Sequence, residues 1–261
     1  MIGQREVLKQ IDNLIEKGFP RFIAIIGQKG QGKTTLAKEI SNRLKIPICE
    51  FSTKIDDIRE MIAMSYKQTE PIIYLIQNAD KMSIGAKNSL LKVIEEPPNS
   101  AFFIMELQQI ENTLETIKSR CQQIHLEDYN SLEINEMQAE INSNLESADK
   151  AIIEDIPKNY YQLKLLNQYK PLEFYNYVDK VVNNIYKVQS ANAFKIGEKL
   201  DLKDNNEGYD LDLFFETFKT ICMDNLIVNI DKDDEFGLYK NYNKMIDITS
   251  KYQQKLKMNR Y

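Results

Sequence analysis

A chain of 261 residues has room for one large domain or two to three small ones. Hydrophobic residues at 43% and charged residues at 28% exclude intrinsic disorder, a collagen-like repeat and a small disulfide scaffold. A net charge of −5, from 34 Lys and Arg against 39 Asp and Glu, excludes the basic excess of a free-standing nucleic-acid binder.

Residues 4–17 carry a helical pattern that Gly18 and Pro20 end. Phe22–Ile26 reads as a short buried strand, followed by a helix over 33–44, a strand at Pro47–Phe51 and a helix over 55–68. A strand at Ile72–Ile76 and a helix over 84–95, stopped by Pro97 and Pro98, come next. The series closes with a strand at Ala101–Met105, a helix over 111–118 and a strand at Gln123–Leu126. Continuous apolar strands alternating with helices predict a mostly parallel sheet covered on both faces.

After about residue 128 the strand pattern disappears. Residues 131–169 read as short helices broken at Pro157–Asn159, and 171–189, 191–200, 209–230 and 236–257 as longer ones. The polar connector Asp204–Gly208 fails a calcium-loop template, because glycine falls at its fifth position and Phe215 at its twelfth. With Asp231–Glu235 it is read as a solvated loop. The tyrosines at 160, 161, 169, 175, 177 and 186 have helical spacing amid Leu and Val, which marks them as packing residues rather than base-stacking ones.

Cys49, Cys121 and Cys222 lie far apart and His125 is the single histidine, so no zinc site is expected. The chain has no uncharged apolar run of roughly 18 residues or more, and its first ten residues lack the apolar core of a signal peptide. A cytoplasmic location is expected.

The strongest signal is Gly27-Gln28-Lys29-Gly30-Gln31-Gly32-Lys33-Thr34, which fits the phosphate-loop pattern G-x-x-x-x-G-K-[ST] at every position. Its context fits as well, with an apolar strand ending at Ile26 and a helix opening at Lys33. Glycines let successive backbone N–H groups turn inward around phosphates, and the helix N-terminus adds positive potential. Lys33 supplies a point charge for the β- and γ-phosphates, Thr34 can ligate Mg²⁺, and Thr35 follows on the first helical turn. ATP or ADP is the expected ligand, with Mg²⁺ entering through the nucleotide.

Hydrolysis needs more. A carboxylate normally ends a second strand to hold Mg²⁺, yet Ile72–Ile76 is followed by Gln77 and Asn78. An amide carries no charge for a metal and cannot take a proton. Asp80 lies three residues past Gln77, where it could equally start the next helix. These residues predict a site that binds nucleotide and hydrolyses it poorly.

Three further blocks carry a family resemblance. They are Asn78–Met82, then Asn88–Pro98 with its Leu90-Leu91-Lys92 and Glu95-Glu96-Pro97-Pro98, then Thr116–Cys121 with Ser119-Arg120-Cys121. In order and spacing they resemble the clamp-loader AAA+ proteins, nearest to the bacterial delta prime type. The resemblance is strong over about residues 1–126 and faint beyond. It implies an α/β P-loop NTPase (AAA+) domain with a parallel sheet over 1–128. A small helical lid over 129–169 and an all-α collar over 170–261 would follow.

The resemblance also implies roles and partners. Ile2, with Gly3 and Gln4, matches the family's N-terminal box beside the adenine, and Arg120 matches an arginine finger that acts on a neighbouring subunit's nucleotide. Other clamp-loader subunits in a hetero-oligomer, a sliding clamp, and primed DNA through the assembly are the implied partners; no membrane is.

Departures from the family pattern are as informative. Gln77 and Asn78 replace its second-strand acids, and Glu106-Leu107 stands where hydroxyl residues form its first sensor. A glutamate there would either repel a γ-phosphate or replace the missing acid; repulsion is the expectation. Leu163–Gln168 is similar to the lid helix, with Tyr160 or Tyr161 near the place of the second-sensor arginine. The four-cysteine zinc module of many relatives has no counterpart between Ile46 and Ile55. A partner of a motor is expected, not the motor. The alternatives are an independent AAA+ ATPase, such as a phage or plasmid helicase loader using Glu106 or Asp80, and a scaffold with a vestigial loop.

Overall fold

In the computed structural model, residues 3–141, 146–184, 209–229, 246–247 and 249–251 are described. The chain divides after Tyr129 into two units. The first runs α1 (Arg5–Lys17), β1 (Phe22–Ile26), α2 (Lys33–Leu44), β2 (Ile48–Phe51), α3 (Ile55–Lys67) and β3 (Ile72–Ile76). It continues through α4 (Ile84–Glu95), β4 (Ala101–Leu107), α5 (Glu115–Lys118) and β5 (Gln122–His125). All strand pairs are parallel, in the order β2-β3-β4-β1-β5.

Period-two alternation decides which side chain meets which helix. Phe22, Ala24, Ile26, Tyr74, Phe103 and Met105 turn to one face, where Ile58 and Met61 of α3 and Leu90 and Val93 of α4 cover them. Phe103 stacks between Phe22 and Tyr74, with ring centroids 4.6 and 5.3 Å away. Ile23, Ile25, Ile73, Leu75 and Ile104 turn to the other face, under Ile11 of α1 and Leu36 and Ile40 of α2. Both faces are dry.

Local chemistry fixes the element ends. Gly18 closes α1 at a φ of 103°, a left-handed value that favours glycine, and its N–H donates to the Ile15 carbonyl. The Ser83 hydroxyl caps α4 by accepting from the Ala86 N–H at 3.2 Å. Two elements differ from the sequence reading. The helix expected over 111–118 is a 3₁₀ turn at Ile110–Asn112 and the short α5, separated by extended Thr113 and Leu114. Ile110, Leu114 and Ile117 all pack against the sheet-face cluster across this break. β4 also runs two residues past Met105, because Glu106 and Leu107 pair in register with Ile25 and Ile26.

The second unit is helical where described: α6 (Ser131–Ile141), α7 (Ser147–Asp155), α8 (Tyr160–Tyr169), α9 (Pro171–Asn184) and α10 (Leu211–Asn229). Asn159 caps α8 by accepting from the Gln162 N–H at 3.0 Å. Gln138 of α6 and Asn167 of α8 exchange two amide hydrogen bonds, at 2.7 and 3.2 Å. Tyr169 and Tyr177 pack with Phe174, Tyr209 and Phe214. Tyr160 is exposed. Tyr186, the stretch 191–200 and both polar connectors lie outside the described residues, as does most of 236–257; residues 246–247 and 249–251 are helical. Among the described residues no helix is long and apolar enough to cross a membrane.

Replacing Phe103, which has no exposed surface, by Ala is expected to cost about 3–5 kcal/mol in urea unfolding. Tyr160→Ala, at 45% exposure, is expected to stay within about 0.5 kcal/mol of wild type. Equal costs would contradict this description of the core.

Candidate nucleotide-binding site

The loop Gly27–Gly32 leaves the carboxyl end of β1, between β4 and the edge strand β5, and enters α2. The chain leaves β1 toward β2 on one side and returns from β4 across β1 to β5 on the other. That reversal makes the carboxyl ends of β1 and β4 the place where an open α/β sheet receives its ligand. Gly30 and Gly32 hold φ values of 89° and 91°, the left-handed turns that set loop N–H groups inward. Gly27 is required for space as well: a Cβ there would stand 2.6 Å from the Gln31 side-chain oxygen.

Side chains hold this loop in shape. Gln31 is buried and bridges it, its Oε1 accepting from the Gln28 N–H at 2.5 Å and its Nε2 donating to Asp128 at 2.6 Å. The Tyr129 hydroxyl donates to the Gln31 carbonyl at 2.8 Å. The Lys33 ammonium donates to the carbonyls of Gly27 and Gln28, at 2.7 and 2.9 Å. Burial pulls the Lys33 pKa down, opposed by the negative charges of Glu106 and Asp80. Thr34 sits beside Lys33 on the first turn of α2, and Lys29 and Thr35 are exposed. Gly27 through Thr35 thus form one continuous structure. Ile2 lies outside the described residues, but Gln4 nearby is anchored, its Nε2 donating to the Glu127 carbonyl at 2.6 Å.

The acids separate by environment. Asp80 accepts three backbone hydrogen bonds, two from the Gln108 N–H at 3.0 and 2.8 Å and one from the Gln109 N–H at 3.2 Å. It pins the turn after β4 and has little left to offer a metal or a water. Glu106 differs: only 4% exposed, it has one carboxylate oxygen, Oε1, without a hydrogen-bond partner. Burial pushes its pKa up, opposed by the nearby Thr34 hydroxyl and the Lys33 charge. Gln77, where the second-strand acid is missing, donates through Nε2 to Glu50 at 2.8 Å. Glu50 also pairs with Lys38 of α2 at 3.4 Å.

Glu50 escaped the sequence reading, although a carboxylate interrupting an apolar strand was a visible signal. Among the described residues no group of three or more His, Cys, Asp or Glu side chains could hold a metal ion by itself. The residues fit a nucleotide with Mg²⁺ all the same: turned-in loop amides, Lys33, the Thr34 hydroxyl and an unpartnered carboxylate converge.

Arg120 is not part of this assembly. It precedes β5, whose first residue pairs level with Ile23 at the amino-terminal rim of the sheet. Four strand residues, roughly 13 Å, separate that rim from the loop end. The guanidinium is half-exposed, 3.3 Å from Glu95 at the end of α4 and 3.3 Å from the Thr116 carbonyl.

Asp80→Ala is expected to destabilise the chain by about 1–3 kcal/mol, because buried N–H groups lose their acceptor. A raised folded pKa gives stabilisation that is full below the ordinary carboxyl value of 4.5 and lost as pH rises through the raised one. Glu106→Gln should therefore be more stable than wild type at alkaline pH in urea melts, with the advantage fading toward pH 4.5. An advantage independent of pH would contradict the burial of that carboxyl.

The family described as DNA polymerase III, delta subunit, matches residues 45–130. The DNA polymerase III subunit gamma of Buchnera aphidicola (subsp. Schizaphis graminum) is 29% identical over 153 residues, which cover 46% of this chain and 42% of that protein. The delta' subunit of Haemophilus influenzae is 35% identical over 69 residues, covering 26% of this chain and 21% of its own length. The chain thus spans less than half the length of these curated relatives. Among solved structures, a variant of Thermotoga maritima RuvB superposes with a TM-score of 0.54 at 16% identity, over 86% of this chain and 88% of its own, a likeness of fold alone. Phosphate loop, parallel sheet and partial sequence similarity together liken the chain to DNA polymerase III clamp-loader-type subunits, gamma and delta' among them.

Proposed function

We propose that the chain is a delta prime-like subunit of a DNA polymerase III-type clamp loader. It binds ATP or ADP with Mg²⁺ at Gly27–Thr35, hydrolyses it weakly or not at all, and offers Arg120 to the nucleotide of a neighbouring ATPase subunit. Its helical unit serves as a lid over 129–169 and a collar over 170–261 that holds the hetero-oligomer. The sliding clamp and primed DNA are met through the assembly.

The observation that carries this reading is the position of Arg120. A half-exposed guanidinium at the rim opposite its own phosphate loop has no route to its own nucleotide, so its use on a phosphate lies in another chain. An arginine suits that task because its charge persists at any working pH and spreads over a planar fork matched to phosphate oxygens. The ion pair with Glu95 is an exposed one, worth about 0–1 kcal/mol, and yields easily to a docking surface. Gln77 and Asn78 in place of second-strand acids support a partner of a motor. Glu106 is what favours the competing reading of an independent ATPase; Asp80 does not, since backbone N–H groups occupy it.

Arg120→Ala is expected to leave folding and nucleotide binding unchanged. In a complex reconstituted with motor subunits, hydrolysis at the site it faces should slow by up to about 10³-fold or more. Unchanged turnover in the assembled complex would overturn the finger assignment.

A further inference from the structure

We propose that Glu106 is the carboxylate that holds Mg²⁺ together with Thr34, so that the acid missing from the end of β3 is supplied by the neighbouring strand β4. This rests on the nucleotide-binding reading above.

Strand geometry brings Glu106 to the place. Side chains alternate along β4, so Glu106 shares a face with Ile104, and that face lies under α2. It pairs level with Ile25, two residues before the phosphate loop begins. The first turn of α2, with Lys33 and Thr34, is therefore what this carboxylate meets. A phosphate-loop threonine and a strand carboxylate are the two protein groups that hold Mg²⁺ in such sites. Mg²⁺ needs only one or two carboxylates beside phosphate oxygens and water.

Elimination among the neighbouring acids points the same way. Asp80 spends both its oxygens on the backbone N–H groups of Gln108 and Gln109. Glu50 shares its carboxylate between Gln77 and Lys38, and the Gln77 amide is drawn toward Glu50. Glu106 keeps an oxygen that is buried and without a hydrogen-bond partner. A carboxylate in that state is costly unless something charged completes it. Facing bound phosphates with no cation between, it would repel them. A divalent cation turns the repulsion into a bridge.

Nucleotide affinity should therefore depend on the metal, and Glu106 should be the reason. With a fluorescent ADP analogue, the wild-type chain is expected to bind about tenfold more tightly or better in Mg²⁺ than in EDTA. Glu106→Gln should bind more tightly than wild type in EDTA and gain little from Mg²⁺, while Glu50→Gln keeps the wild-type dependence. Mn²⁺ with ADP, read by electron paramagnetic resonance, should show a bound ion in wild type and none in Glu106→Gln. Melting of the nucleotide-free variants reports whether they fold, and the wild-type metal dependence stands as a test without any variant. Wild-type affinity indifferent to Mg²⁺, or a full dependence surviving in Glu106→Gln, overturns the assignment while leaving nucleotide binding intact. No binding under any condition overturns both.

Discussion

The parallel pairing of β1 with β4 is the constraint on which the rest of the structure depends. Five consecutive registered pairs, from Phe22 with Phe103 to Ile26 with Leu107, bury both strands on both faces. Because the phosphate loop begins at Gly27, the same register sets its height above the sheet, and the Gly27 N–H is itself tied to the Leu107 carbonyl at 3.0 Å. A slip of one residue would turn Glu106 into the α3–α4 core and bring Met105 or Leu107 to its place, so burial enforces the register strongly. Hydrophobic packing thereby decides electrostatics at the site.

What the register delivers is a small, largely buried region of opposed charges. Lys33 and Glu106 each pull the other's titration toward the charged form, while burial pushes both toward the neutral one. Asp80 lies close enough to act on Lys33 yet is committed to the backbone of the turn after β4. The three charged groups therefore differ in availability: Asp80 is structural, Lys33 is held by loop carbonyls that a phosphate can replace, and Glu106 keeps an unpartnered oxygen. Arg120 stands apart from all of them, at the other rim.

The sheet and loop were legible in the sequence because each rests on local signals. Apolar runs bounded by Gly and Pro mark the strands, and the loop motif follows directly on one of them. Less legible was whatever depends on register across strands. Apolar content alone ended β4 at Met105, whereas pairing with Ile25 and Ile26 extends it over Glu106 and Leu107. Glu106 therefore reads as a loop acid in the sequence and is a buried strand acid in the fold. The Glu50–Gln77 contact joins residues 27 positions apart and has no local signature. The break between Ile110 and Ile117 likewise has no local signature, since a continuous helical pattern is locally acceptable there. In the helical unit, spacing identified the tyrosines as packing residues, and Tyr169 and Tyr177 do pack in an aromatic cluster while Tyr160 faces solvent.

The central claim is a phosphate loop that binds nucleotide without being a motor in its own right. Nucleotide binding and turnover by the purified full chain, with Mg²⁺ and with a Lys33→Ala control, measure it most directly. ATP or ADP bound by wild type, lost in the control, and no turnover above background is the predicted result. Sustained turnover that Lys33→Ala abolishes would contradict it and make the chain an ATPase by itself.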